Sequence, residues 1–305
     1  MIKKLIWYIK KPIRIVFYLD NKGIIKLNDK LYLKLMFKYR FGKKLDLNNP
    51  QTFNEKLQWL KLNDRKNKYI EMVDKYEVKN YVSRIIGNKY IIPTIGVYSK
   101  FEDINFEELP NSFVIKTTHD SGGIAICKDK STFDIAQAKK TINSSLHYNY
   151  FYSGREWPYK GVKPRIIIER YMEDENTKNI RDYKFFCFNG EAKIFKIDFD
   201  RFVEHHANYY DLNGNILPFG EKNYPPKYDK QINMPVNLKE MIKYANLLSK
   251  NIPFVRIDFY EINKKLYFGE ITFYPASGLC EFTDYGWDLK LGNWIMFPKE
   301  INDEK

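Results

Sequence analysis

An α+β protein with largely antiparallel sheets is the fold class this sequence predicts, on three observations. Short segments rich in β-formers are joined through Asn-Gly dipeptides at Asn189-Gly190 and Asn213-Gly214, the pair that two-residue hairpins favour. Helix-start signals fall between these segments only occasionally, so the regular strand-helix alternation of a doubly wound parallel sheet is missing. Neither G-x-G-x-x-G nor G-x-x-x-x-G-K-[ST] occurs, which argues against a dinucleotide fold and excludes a Walker loop.

The first ~50 residues mix Lys and Arg with aromatics through Ile13-Arg-Ile-Val-Phe-Tyr18 and Leu33-Lys-Leu-Met-Phe-Lys-Tyr39. They can form short amphipathic helices that touch anionic lipid or pack on the body. Trp7, Ile15 and Phe17 are the side chains on which that choice turns. Thr52-Phe-Asn-Glu55 and Asp74-Lys-Tyr-Glu77 each set a capping residue three positions before Glu, and Asn237-Leu-Lys-Glu240 is a looser version; each precedes a periodic apolar stretch and predicts a helix. Strands are expected at Phe113–Thr117, Ile124–Cys127, Arg165–Glu169, Tyr183–Phe188 and Ala192–Ile197. The organisation this implies is a basic, mainly helical region over 1–105, a smaller lobe over 106–180 and a larger one over 181–305.

With 51 Lys and Arg against 38 Asp and Glu, the 305 residues carry a net charge of +13, which favours polyanionic partners without choosing among them. Hydrophobic residues at 44 % and charged ones at 29 % exclude a disordered or collagen-like chain. No apolar run approaches the ~20 residues of a membrane span. The opening twelve residues lack the small-residue cleavage site of a signal peptide. Cys127, Cys187 and Cys280 are odd in number and far apart, so no disulfide framework is indicated and a reducing cytoplasm is the expected compartment. No helix-turn-helix, RRM or zinc-finger pattern suggests a nucleic-acid partner.

Three constellations can carry chemistry. Lys116-Thr-Thr-His-Asp-Ser-Gly-Gly123 sets a Lys at a strand end before a glycine-closed loop. That is a flap able to lay N–H groups over phosphates, or an ordinary turn. In Phe254-Val-Arg-Ile-Asp-Phe-Tyr260 and Leu266-Tyr-Phe-Gly-Glu-Ile-Thr272, alternation puts Arg256 with Asp258 on one face and Glu270 with Thr272 on one face. A turn near Asn263 and Lys264 sets Asp258 opposite Glu270. Opposed carboxylates repel, and Mg²⁺ would cancel that repulsion with Thr272 as a further oxygen, while Arg256 grips a phosphoryl group. Without a metal, the same pair is a solvated face. Ile168-Glu-Arg-Tyr-Met172 leading to Asp182-Tyr-Lys184 is either a hinge whose backbone reads an adenine edge or a strand running into an exposed loop.

The order of these three, with Asn49-Pro-Gln-Thr-Phe-Asn-Glu-Lys-Leu-Gln-Trp59, Asp74-Lys75 and the closing Glu270-Ile-Thr-Phe-Tyr-Pro-Ala-Ser-Gly278, resembles the ATP-grasp superfamily, and within it the TupA-like group of bacterial surface-polysaccharide proteins. The resemblance runs from about Tyr32 onward. It implies an ATP-grasp fold of two α+β lobes around a nucleotide cleft, with ATP and Mg²⁺ bound. Lys75 and Lys116 would contact phosphates, beside the flap residues His119, Asp120, Ser121, Gly122 and Gly123 read above as a phosphate loop. The hinge Glu169, Arg170, Tyr171 and Met172 would hold adenine, and Asp182 the ribose. Asp258, Glu270 and Thr272 would bind metal, with Arg256 and Lys116 as catalytic residues. Thr272 stands where the common pattern has Asn. Lys184 reaches the phosphates or is solvated, and His119 meets phosphate or the acceptor. The implied reaction is ligation of a carboxylate to an amine, on small molecules or glycans, through an acyl phosphate. The alternative is a metal-dependent glycosyltransferase using Asp198-Phe-Asp200 as a D-x-D motif.

Overall fold

The computed structural model describes residues 12–175, 180–200 and 204–298; Trp7 lies outside them. The chain opens with α1 (Ile13–Asn21) and α2 (Asp29–Phe41), the latter capped by Asn28, whose side chain accepts from Leu31 N. Phe17, Tyr32, Leu33, Phe37 and Leu45 form a small core of their own beneath these helices. Next come α3 (Phe53–Asn63), α4 (Lys68–Val73) and α5 (Glu77–Ile86). The capping box expected at α3 is complete: Glu55 N donates to Thr52 Oγ1 at 3.2 Å and Thr52 N to Glu55 Oε2 at 3.0 Å. At α5, Asp74 Oδ1 accepts from Tyr76 N and Glu77 N.

Strands β1 (Thr94–Tyr98), β2 (Phe113–Thr117), β3 (Ile124–Cys127) and β4 (Ile166–Arg170) make an antiparallel sheet in the order β1-β4-β2-β3. Phe113, Ile115, Ile166 and Ile168 alternate onto one face, where they pack with Ala138 and Ile142 of α6 (Ile135–Leu146). Lys116 and Glu169 therefore fall on the opposite face. The boundary expected at 105/106 needs correction, because β1 precedes it yet pairs with β4. A short helix, α7 (Phe151–Gly154), leads toward β4.

The larger sheet runs β7-β6-β5-β8-β9, all antiparallel, from β5 (Arg181–Phe188), β6 (Glu191–Phe199), β7 (His206–Asp211), β8 (Phe254–Ile262) and β9 (Lys265–Thr272). Asn189 (φ 53) and Gly190 (φ 90) take up the left-handed backbone of the expected β5–β6 hairpin. Helix α8 (Leu238–Leu248) packs Ala245 against Cys187. Asn237 at its start uses its side chain on Glu261 and the Lys264 carbonyl instead of a cap. On the other face, Phe53 of α3 packs against Phe186, Phe188 and Phe254, with ring centroids at 6.5, 6.2 and 4.8 Å. Alternation then places Lys184, Arg256 and Asp258 on this same face beyond the helix cover. The last helix, α9 (Tyr285–Trp294), joins α3 there through Asp288, which accepts from Asn54. Among the described residues no helix is long and apolar enough to cross a membrane.

Candidate nucleotide and metal site

The loop after β2 is built by its own polar side chains. The Asp120 carboxylate accepts from Thr117 Oγ1, Ser145 Oγ and the Gly123 N–H. Burial opposes its ionisation, but the Ser145 and Thr117 bonds and the Lys75 charge hold its carboxyl below the usual range. His119 is buried and donates from Nε2 to the carbonyls of Ser145 and Tyr148 at 3.1 and 3.0 Å. The side chains of His119 and Asp120 thus shape the flap, leaving exposed Ser121 and Gly122 at its tip. A Cβ on Gly123 would collide with Thr117 Oγ1 and Ser145 Oγ. Gly123→Ala is expected to destabilise by about 1–3 kcal/mol through overpacking; urea melts of the two proteins check it, and coincident curves would mean the loop yields.

Lysines converge beside that loop. Lys75 Nζ donates to the Thr117 carbonyl at 2.9 Å and to the Asp120 carbonyl. Burial lowers its pKa against the attraction of Asp120 and Glu270. Lys116 reaches Glu169 Oε2 at 2.6 Å, and Lys79 of α5 reaches Oε1. Burial disfavours the Glu169 anion, but Lys116 and Lys79 reverse that and hold its carboxyl below the usual range. Next to this cluster, a cavity of about 530 Å³ is lined by Tyr76, Lys79, Ile92, Arg170, Met172 and Tyr267 among others. It therefore joins two expected hinge residues to β9 of the larger sheet. Tyr171 sits beside it with its hydroxyl 3.4 Å from Glu173.

On the larger sheet the hairpin turns at Asn263 (φ 50) and Lys264 (φ 61), and Arg256 pairs with Thr272 as expected. A register shift between Ile257 and Phe259 means Asp258 faces an irregularity at Gly269–Glu270 instead of a simple cross-strand partner. The expected carboxylate repulsion is cancelled by protein cations. Arg256 donates from Nε and Nη2 to Asp258 at 2.7 and 2.8 Å, and from Nη2 to Glu270 Oε1 at 2.6 Å and Thr272 Oγ1 at 3.1 Å. Lys184 bridges Asp182 and Asp258 at 2.8 and 2.9 Å. Burial would lower the Lys184 pKa, but Asp258 and Asp182 raise it. Asp258 is fully enclosed, and burial pushes its carboxyl up despite both cations. Glu270 differs: its side chain is 46 % exposed, and Arg256 and Lys184 outweigh desolvation to bring its carboxyl down to about 2.

Directly after β9, Ala276 (φ 48), Ser277 (φ 56) and Gly278 (φ 62) turn through three left-handed conformations. Fully buried Lys61 of α3 holds this corner, donating to Ser277 O at 2.8 Å, Ser277 Oγ at 3.0 Å and Gly154 O at 2.7 Å. Gln58 adds a bond to Gly278 O at 2.7 Å. Burial brings the Lys61 amine down to about 8.

With this geometry in view, the TupA-like ATP-grasp family model matches residues 55–296. The chain belongs to the TupA-like ATP-grasp family. No curated protein matches it. Among solved structures, D-alanine-D-alanine ligase from Helicobacter pylori is 14 % identical over 81 % of this chain and 70 % of that one, with a TM-score of 0.44. The ATP complex of the Bacillus anthracis D-alanine–D-alanine ligase is 16 % identical over 66 % and 53 %, with a TM-score of 0.37. An ADP complex of N5-carboxyaminoimidazole ribonucleotide synthetase is 13 % identical over 72 % and 50 %, with a TM-score of 0.44. The chain thus spans only about half the length of the latter two.

Within this TupA-like ATP-grasp chain, Asp258, Glu270 and Thr272 offer only oxygen donors, the chemistry Mg²⁺ takes. Glu270, half exposed with its carboxyl held low, fits such an ion, whereas Asp258 is fully enclosed between Arg256 and Lys184 and would have to exchange one of these cations for the metal. Among the described residues no three His, Cys, Asp or Glu side chains converge as a ready-made metal cluster. In the D-x-D alternative, Asp198 lies inside with Lys196 at 3.6 Å and His205 at 3.1 Å, while Asp200 (φ 54) pairs with Lys230 at 3.4 Å. Sequence reasoning missed Lys79, whose partner Glu169 lies on a strand 90 residues further along the chain. It also missed Lys61 and Gln58, whose backbone partners are remote in sequence, Gly154 and Ser277 for Lys61 and Gly278 for Gln58.

Proposed function

We propose that this protein is an ATP- and Mg²⁺-dependent ligase that joins a carboxylate to an amine through an acyl phosphate, in the assembly of bacterial cell-surface or capsular polysaccharide. Family membership supports ATP use. The observation that carries the reading is ionised, half-exposed Glu270 bonded to Arg256 and within electrostatic reach of Lys75. It supports reading the phosphate-binding and carboxylate constellations of the sequence as one site.

In this reaction a carboxylate oxygen of the acid attacks the γ-phosphorus of ATP, and ADP leaves with the bridging oxygen. The amine nitrogen then attacks the acyl carbon. Phosphate departs carrying the acid's oxygen, and the nitrogen gives up a proton as the amide forms. Lys75 and Lys116 screen the phosphates, Lys116 exchanging Glu169 for a phosphate oxygen. Arg256, already pre-set by Asp258, is oriented to hold the transferring phosphoryl group. Mg²⁺, when bound at Asp258, Glu270 and Thr272, supplies Lewis-acid charge neutralisation. No nucleophilic Ser or Cys is required. Glu169 to Met172 with Asp182 would seat the nucleoside, and we place the activity in the cytoplasm, where ATP is available.

Candidate uronic and amino acids carrying ¹⁸O in the carboxyl group, paired with amines and Mg-ATP, provide the test. One ¹⁸O atom should appear in inorganic phosphate for each ADP released. Thermal stabilisation by a UDP-sugar with none by Mg-ATP would replace the ligase with a glycosyltransferase. Lys116→Met should weaken Mg-ATP binding about 10- to 100-fold, the range for a charged contact; titration calorimetry reads it, and unchanged affinity would remove Lys116 from the site.

A further inference from the structure

The N-terminal helix pair keeps its acidic groups tied to arginines and exposes basic and apolar ones. Asp20 is buried, and its carboxylate accepts from Arg155 Nη2 at 2.5 Å. Asp29 is paired with Arg65 at 2.8 Å and Arg155 at 3.2 Å. Phe17 turns inward onto Tyr32, ring centroids 5.2 Å apart, and the Tyr32 hydroxyl donates to Ser153 O at 2.9 Å. The pair is therefore anchored to the body, and its outer faces keep a fixed composition.

Those outer faces are unusual for a soluble surface. From residue 12 to 44 the exposed charged side chains are Lys22, Lys26, Lys30, Lys34, Lys38 and Lys44, with no exposed acid. Interleaved with them, Ile15 and Leu31 are each 42 % exposed, Tyr18 46 % and Ile24 67 %. Ile15 and Tyr18 on α1 and Lys22 at its C-cap follow one another at i, i+3, i+7, as do Leu31, Lys34 and Lys38 on α2, so each helix presents a mixed apolar and basic stripe. A nucleic acid would use the lysines but leave these aliphatic side chains in water. An anionic bilayer surface uses both, the lysines at the headgroups and the apolar tips at the acyl boundary.

We infer that α1, the turn at Ile24 and the outer face of α2 dock this protein peripherally on an anionic lipid bilayer. The surface lies on helices whose exposed groups take no part in the nucleotide cleft, so docking and ligation can be measured independently.

Co-sedimentation of the full chain with phosphatidylcholine vesicles, with and without 30 % phosphatidylglycerol, at 50 mM salt and without ATP is the experiment. Binding to the anionic vesicles alone is expected. Replacing Lys22, Lys26 and Lys30 by Gln should lower partitioning about fivefold per residue, on the order of 100-fold together. Ile24→Ser with Leu31→Ser, both exposed and so harmless to folding, should lower it by about tenfold or more while leaving the salt dependence unchanged. Full binding retained by the Ser variant would mean simple polyanion adsorption and would overturn the inference, as would equal binding to neutral vesicles or none to either. Loss of ATP binding with vesicle binding intact would fault the ligase reading alone.

Discussion

Glu270→Gln is expected to reduce ADP formation by about 10²–10³-fold, the loss typical of removing one pre-organised electrostatic group from a reacting centre, with the fold retained. The amide keeps the shape and the contact with Thr272 but not the charge that holds Arg256 and a metal. Carboxylate repulsion alone would make this variant as stable as the parent or more so. The observed geometry reverses that expectation, because Glu270 faces Arg256 at 2.6 Å. Since the side chain is half exposed, solvent screens the pair and the cost is no more than about 1 kcal/mol. The sign with pH follows from a depressed carboxyl. Glu270's contribution is fully present above its unfolded value of 4.5 and is lost as pH falls toward about 2. Acid titration of both proteins by circular dichroism, beside an ADP assay, gives both numbers. Retained activity with a marked loss of stability would make Glu270 structural.

Lys184→Met carries the larger stability effect. It leaves Asp182 and fully enclosed Asp258 without the amine that bridges them at 2.8 and 2.9 Å, and breaking a buried charge network from one side costs about 3–5 kcal/mol. The Lys184 pKa is raised, so its contribution is fully present below the unfolded value of 10.5 and is lost as pH rises through the folded value. The variant should accordingly lack the alkaline part of the parent's stability profile. Adding Asp258→Asn removes the orphaned charge and should restore a large part of the loss, a coupling that a double-mutant cycle in urea measures. Additive single effects would show that Lys184 and Asp258 do not act as a unit.

How far the sequence reaches can be judged residue by residue. Local rules determined the α3 capping box at Thr52 and Glu55, the Asn189-Gly190 hairpin, and the shared face of Arg256 and Asp258, because each depends on neighbours within a few positions along the chain. Alternation also forced Lys116 and Glu169 away from the α6 side of their sheet. The carboxylate hairpin was legible except at its irregularity: the turn at Asn263 and Lys264 and the Arg256–Thr272 pairing follow from the strand pattern, whereas the shift beside Asp258 does not. Only the tertiary structure decided that β1 joins the sheet of β2 and β4, since strand pairing is a long-range choice that Thr94–Tyr98 does not announce. It also decided which cations meet which carboxylates. Glu169 draws Lys79 from α5, Asp258 draws Lys184 from β5, and Ser277 draws Lys61 from α3. A charged side chain in water has no fixed partner, and one removed from water must have one; the fold selects it by bringing elements together that the sequence keeps 74, 90 or 216 residues apart.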